Sequence, residues 1–180
     1  MKKNLILSLE NINLDGDILD VAKEKMGIIY SVTKEIEDEI SVDYVEEENK
    51  KILNNRKYDA STFFFNLNSL SKMKKEKIIK DVSSYLKDEG CIYIWDMIKD
   101  IGRIYNNKVS VLLPNEKVKE ANIRNFNLFA ANKYDEVKKM VEKYYIIEET
   151  KLWEEMFYIK AIKRDKKKGT IGNESIVDSN

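Results

Sequence analysis

The sequence predicts an α/β fold: a mostly parallel sheet with helices on both faces, closed by an antiparallel pair of strands. Three observations carry this expectation. Short apolar runs, several of them rich in β-branched and aromatic residues, alternate four times with stretches of helical periodicity, the pattern of parallel strand–helix units. The first runs are bounded by turn signals, as buried strands are. The last two runs are separated only by a short polar turn, which suits a closing antiparallel pair.

The first strong element is Ile18-Leu19-Asp20-Val21, entered through the turn signal Asp15-Gly16-Asp17. Ile28, Ile29, Val32 and Ile36 then recur at the spacing of a helix laid on a sheet. Ile40-Ser41-Val42-Asp43-Tyr44-Val45 reads as the second strand, and the acidic Glu46-Glu47-Glu48 suits the positive end of a short following helix carrying Ile52 and Leu53. A third strand is expected over residues 60–65. The clearest helix lies within residues 71–87, with Ile78, Ile79, Val82, Tyr85 and Leu86 on one face and six lysines on or near the other; Gly90 supplies a stop. Cys91-Ile92-Tyr93-Ile94-Trp95 is the fourth strand, ending at Asp96.

Over residues 97–132 the pattern changes. Val109-Ser110-Val111-Leu112-Leu113 is strand-like, Pro114-Asn115 marks a turn and residues 118–128 partly alternate, so a β-hairpin excursion is expected. Val137, Met140, Val141 and Tyr144 form a last helical stripe, followed by strand-like runs at 145–150 and 156–162. Residues 1–164 are expected to make one domain, and the polar residues 165–180 a mobile tail.

Composition removes several chemistries. Histidine is absent and Cys91 is the only cysteine, which excludes a Ser-His-Asp triad, a His-based proton shuttle, an intrachain disulfide and a His/Cys zinc site. Without a histidine to activate it, Cys91 is expected to be an inert packing residue. The 32 basic residues balance 32 acidic ones, so no net field gathers nucleic acid or an acidic membrane. Only four residues are arginine, at 56, 103, 124 and 164, and they are scattered. The stretch Leu5-Ile6-Leu7-Ser8-Leu9 ends at Glu10 without a small-residue cleavage site, so no signal peptide is expected, and no apolar run has the length of a membrane span. A cytoplasmic location follows as the expectation.

Three local matches over residues 14–164 carry a resemblance. They are Asp17-Ile18-Leu19-Asp20-Val21, the stretch from Tyr58-Asp59-Ala60 through Phe65-Asn66-Leu67-Asn68-Ser69-Leu70, and Leu86-Lys87-Asp88-Glu89-Gly90 running into Cys91-Ile92-Tyr93-Ile94-Trp95-Asp96. In this order they resemble the first, fourth and fifth strands of the class I S-adenosylmethionine-dependent methyltransferases, a Rossmann-like family. Two departures stand beside the resemblance. The family's glycine-rich loop is here Ala22-Lys23-Glu24-Lys25-Met26, with only Gly27 left, although bare backbone is what allows close approach to a cofactor. Residues 46–57 are also too few for two crossovers and a strand, which implies that the family's third strand is missing.

In open parallel sheets ligands sit beyond the carboxyl ends of the strands, so the loops after Val21, Val45, Phe65 and Trp95 are expected to line one crevice. The resemblance implies S-adenosylmethionine there. Asp20 corresponds to the family's first-strand acid, with Ala22, Lys23 and Gly27 in the loop beside it. Asp43, or second to it Glu46, corresponds to the acid that accepts from ribose hydroxyls, and a solvated surface acid is an equally good account. Phe65 and Asn66 border the cofactor, while Asn68, Trp95, Asp96 and Tyr105 frame a methyl acceptor; turn chemistry is the commoner use of asparagine after a strand, and core packing also accounts for Trp95. No Asn/Asp-Pro-Pro-aromatic run follows Phe65, which disfavours amino groups of bases or glutamine as acceptors.

Methyl transfer from a sulfonium needs little side-chain chemistry, so the lack of histidine does not oppose it. The expected function is methyl transfer to a small molecule, with no metal and an unassigned catalytic base. The alternative is a non-catalytic binding or scaffold protein that has lost the cofactor, with homo-oligomers through the 97–132 excursion or an open sheet edge. A membrane is not an expected partner. Nucleic acid is disfavoured, since the basic cluster at 163–168 lacks aromatic RNA-reading residues.

Overall fold

The computed structural model describes residues 4–22, 28–32, 36–41, 57–114 and 116–164. Two patterns of burial order them. Strands buried on both faces occupy the middle of a sheet, and strands or helices with one wet face cover it. In chain order the strands are β1 (Asn4–Ser8), β2 (Ile18–Ala22), β3 (Ile36–Ser41), β4 (Tyr58–Phe64), β5 (Leu86–Met97), β6 (Tyr105–Leu112), β7 (Val118–Asn125), β8 (Tyr145–Leu152) and β9 (Met156–Lys163). The helices are α1 (Ile28–Val32), α2 (Lys72–Tyr85) and α3 (Tyr134–Glu142).

The main sheet has the order β3-β2-β4-β5-β9-β8. β3, β2, β4 and β5 run parallel, and β9 and β8 close the sheet antiparallel, as the sequence predicts. Among the described residues β3 is followed directly by β4, with no strand between them.

β4 and β5 feed two cores at once. Phe63, Ile92 and Ile94 pack with Ile78, Ile79 and Val82 of α2 and Val137, Met140 and Val141 of α3. Ala60, Phe64, Tyr93 and Trp95 pack on the other face with Ile28 and Ile29 of α1 and with a second sheet, β1-β6-β7. That second sheet accounts for the N-terminal apolar run. Leu5 and Leu7 pair in parallel with Val109 and Val111 of β6, and β6 and β7 form an antiparallel hairpin.

Two boundaries differ from the sequence reading. Ile36 opens β3 and does not continue α1, so the strand begins four residues before Ile40, where the sequence reading starts it, and residues 42–45 of that reading lie outside the described residues. An isoleucine four residues on lies on the same face of a strand as of a helix, so the spacing of Ile36 and Ile40 does not separate the two. The expected helix around Ile52 and Leu53 falls outside the described residues. α2 ends at Tyr85, five residues before Gly90, and the chain enters β5 at Leu86. Gly90 has a different duty: a Cβ there would lie 3.0 Å from both Leu86 Cβ and Lys87 O.

The entry to β2 is held by a polar knot. Asp59 accepts from Asp17 N–H at 2.8 Å and from Lys87 Nζ at 2.8 Å, and Lys87 also reaches Asp17 at 3.0 Å. Hydrogen bonds from Lys87 and Asp17 hold the Asp59 carboxyl below its ordinary range. Gly16 approaches this knot with φ +80°, and a Cβ would sit 2.3 Å from Asp59 Oδ2. Gly16→Ala is therefore expected to cost about 2 kcal/mol from backbone strain and displacement of Asp59. A urea melt in which the midpoint does not move would refute that account.

Candidate functional site

The helices that follow β2 and β4 lie on opposite faces of the sheet. From β2 the chain goes to α1, whose Ile28 and Ile29 lie in the core shared with the small sheet; from β4 it goes to α2, whose Ile78, Ile79 and Val82 lie in the other core. β2 and β4 are hydrogen-bonded neighbours. A divergence of this kind between adjacent parallel strands opens a crevice at their carboxyl ends, where ligands of α/β proteins bind.

Residues from both strands meet across this point. Asp20 of β2 lies opposite Thr62 of β4 in register, and Thr62 Oγ1 donates to Asp20 Oδ1 at 2.5 Å. Beside them Ser61 Oγ donates to Leu19 O at 2.9 Å. Asp20 is therefore a buried carboxylate fixed by the neighbouring strand, and not a surface acid.

Beyond β4, Phe65 takes φ +53°. This is the left-handed region that a bulky residue enters at a cost of about 1 kcal/mol or more. Its N–H still donates to Trp95 O at 2.8 Å, and its ring meets Phe64 edge-on at 4.8 Å, so packing and a β5 hydrogen bond hold the kink. Asn66 follows the kink and reaches β2, its Nδ2 donating to Val21 O. Asn66 is fully buried, and its Oδ1 has no hydrogen-bond partner among the described residues. A buried carbonyl oxygen left over in this way is uncommon and marks a place where a donor is missing.

Asn68 does different work. It begins a network that covers the end of β5 on the α2 side. Its N–H donates to Asp96 Oδ2 at 3.0 Å, and its Nδ2 donates to Asp96 Oδ1 at 2.6 Å and to Phe65 O at 3.0 Å. Met97 N–H adds a bond to Asp96 Oδ1 at 2.7 Å. Burial pushes the Asp96 carboxyl up to about 6, against those hydrogen bonds and the nearby Lys75, which favour the charged form. Asn125 at the end of β7 donates to both Asn68 O and Asn68 Oδ1, tying the hairpin to the turn.

The expected site residues thus separate into groups. Asp20 and Asn66 come together at the β2/β4 point, with Ala22 closing β2 beside them. Asn68 and Asp96 come together but saturate one another. Trp95 lies on the opposite face of β5 from Asp96, stacked between Tyr93 at 6.0 Å and Tyr158 at 5.2 Å. Tyr105 belongs to that same core, and burial pushes its hydroxyl up to about 12. Lys23, Gly27, Asp43 and Glu46 lie outside the described residues. Cys91 is half-buried, and burial raises its thiol further from reactivity.

Sequence reading missed Thr62, Lys75, Lys99, Asn125 and Asn132. Lys75 carried a signal: three and four residues before Ile78 and Ile79, it lies on the apolar face of α2. Its Nζ donates to Ala131 O at 2.5 Å and Asn132 Oδ1 at 2.8 Å, and burial lowers its pKa. Among the described residues no three His, Cys, Asp or Glu side chains gather where they could hold a metal ion, and no helix is long and apolar enough to cross a membrane.

The chain matches no family model and no curated protein. Solved structures do match. A S-adenosylmethionine-dependent methyltransferase from Clostridium acetobutylicum superposes with TM-score 0.51 at 15% identity, over 81% of this chain and 83% of its own. The fold is that of S-adenosylmethionine-dependent methyltransferases. The N-methyltransferase NodS from Bradyrhizobium japonicum gives TM-score 0.51 at 7% identity, covering 83% of this chain and 86% of its own. The Burkholderia thailandensis 1,6-didemethyltoxoflavin-N1-methyltransferase, solved with its substrate and S-adenosylhomocysteine, gives 0.51 at 13% identity over 83% and 72%. At these identities the shared property is the fold alone.

Proposed function

We propose that the chain is a cytoplasmic methyltransferase that binds S-adenosylmethionine at the β2/β4 divergence and methylates a small molecule. The observation that carries this reading is Asn66, a buried amide that bridges the two strands at the ligand-binding point of the fold and keeps a carbonyl oxygen without a donor among the described residues. S-adenosylmethionine brings donors to such a place in its ammonium group and ribose hydroxyls, so the acceptors Asp20 and Asn66 fit it in chemistry. When bound, the cofactor supplies the activated methyl group.

The chain's own residues then have binding and orienting roles. Asn66 Oδ1 accepts from the ammonium, and Asp20, held by Thr62, orients the loop after β2. Ala22 stands where the family has a glycine, and Asp43, with Glu46 as second choice, accepts from the ribose. Asn68 and Asp96 serve the acceptor side by fixing the turn after β4, and Trp95 and Tyr105, packed in the core on the other face of β5, support the strand from within. The run Ala22-Lys23-Glu24-Lys25-Met26, with no glycine, favours the second reading, a scaffold that has lost the cofactor.

Calorimetric titration of the full chain with S-adenosylmethionine and S-adenosylhomocysteine decides between them. Saturable heat and a rise in melting temperature are expected, because a ligand that binds only the folded state stabilises it. No heat and no thermal shift at millimolar ligand would leave the scaffold reading.

A further inference from the structure

β1 lies at one end of the small sheet, with β6 on one side and no strand on the other among the described residues. Its register fixes which backbone groups face outward. Leu9 N–H donates to Leu112 O at 2.8 Å, and β1 runs parallel to β6 with Ser8 beside Leu112. The N–H and C=O of one strand residue point to the same side, and the side alternates along the chain. Leu5, Leu7 and Leu9 therefore turn theirs to β6, and Asn4, Ile6 and Ser8 turn theirs away. All of the latter are exposed, Ile6 to 67%.

A free strand edge is a template for another strand, and proteins ordinarily protect it with charges or a bulge. The other sheet ends follow that rule. β3 contains Glu37, Asp38 and Glu39, and β7 contains Lys119, Glu120 and Arg124. β8 contains Glu148, Glu149 and Lys151, with a register shift between Ile147 and Glu149. β1, Asn-Leu-Ile-Leu-Ser, contains no charge.

This edge is complementary to a second copy of itself. Antiparallel pairing about a two-fold axis at Ile6 sets Ile6 against the partner's Ile6, Leu5 against the partner's Leu7 and Asn4 against the partner's Ser8. Each outward-facing residue then meets another, as the reciprocal bonds of an antiparallel ladder require. A slide of one residue sets outward groups against inward ones, and a slide of two leaves one outward residue of β1 unmatched. Charge agrees with the pairing. Lys2 and Lys3 precede the strand and Glu10 and Asp15 follow it, so the basic end of each copy comes toward the acidic end of the other. Lys108, the one charged residue of β6, already holds Glu120 at 2.5 Å.

We propose that β1 is a dimerisation edge, through which two copies of this chain join their three-stranded sheets into one continuous sheet. The paired segment is short, so association is weak and concentration-dependent. It does not depend on cofactor binding.

Sedimentation velocity of the full chain, from low micromolar to submillimolar concentration, tests this. A reversible rise to twice the monomer mass is expected. Ile6→Lys sets two cations face to face on the axis and should raise the dissociation constant about tenfold or more. Ile6→Pro removes an N–H that β6 does not use, so it should block pairing while the edge strand stays in place. An unchanged urea midpoint is the control for folding, and the exposed Ile6→Lys site decides if proline disturbs the strand. A single monomeric species at every concentration overturns the proposal. So does a dimer that persists in Ile6→Lys or in a folded Ile6→Pro, which would assign association to another surface, such as the exposed Phe126 and Phe129.

Discussion

Asp96→Ala is expected to remove about 3–4 kcal/mol of folding stability, because a buried charged group in a hydrogen-bonded network leaves its partners stranded. Asn68 N–H, Asn68 Nδ2 and Met97 N–H all lose their acceptor at once. Lys75, buried nearby, loses the negative charge that supports its ammonium. The loss reads as a fall in the urea midpoint, and a change within experimental scatter would mean that the network is not stabilising.

Asp96→Asn refines the same point through pH. The folded carboxyl titrates near 6, raised by burial, whereas the unfolded one titrates near about 4. A group raised in the folded state adds most stability below the unfolded value, and that part is lost as pH rises through the folded value. The stability advantage of the wild type over Asp96→Asn should therefore narrow between about pH 4 and about pH 7. Comparing the two proteins cancels the other titrations they share. A widening gap would show that Lys75 and the three N–H groups outweigh desolvation.

The parallel sheet and its closing pair were legible because their determinants are local. β5 announces itself through Ile92, Tyr93, Ile94 and Trp95, which need only a strand buried on both faces. β1 was not legible as a strand: its partner is β6, far along the chain, and nothing in Leu5-Ile6-Leu7 specifies Val109 and Val111. The same holds for Lys99, whose burial depends on the carbonyls of a loop some thirty residues on. Asn66 and Asn68 show the limit at a single turn. They are one residue type two positions apart, yet the positive φ of Phe65 sends Asn66 to β2 and leaves Asn68 with Asp96.

That difference makes Asn66→Ala the most telling substitution at the site. The change removes the Asn66 Nδ2 bond to Val21 O, a loss of about 1 kcal/mol, but also removes a buried oxygen with no donor among the described residues, whose desolvation costs about 1–3 kcal/mol. The unliganded protein should therefore melt at an unchanged or slightly higher urea concentration. S-adenosylmethionine affinity should fall about tenfold or more, since hydrogen bonds to a charged group contribute about 1.5–3 kcal/mol. Stability and binding then move apart, as they do when a residue is strained for a ligand's sake. An asparagine that served only the fold would give the reverse: a lower midpoint in urea with calorimetric affinity intact.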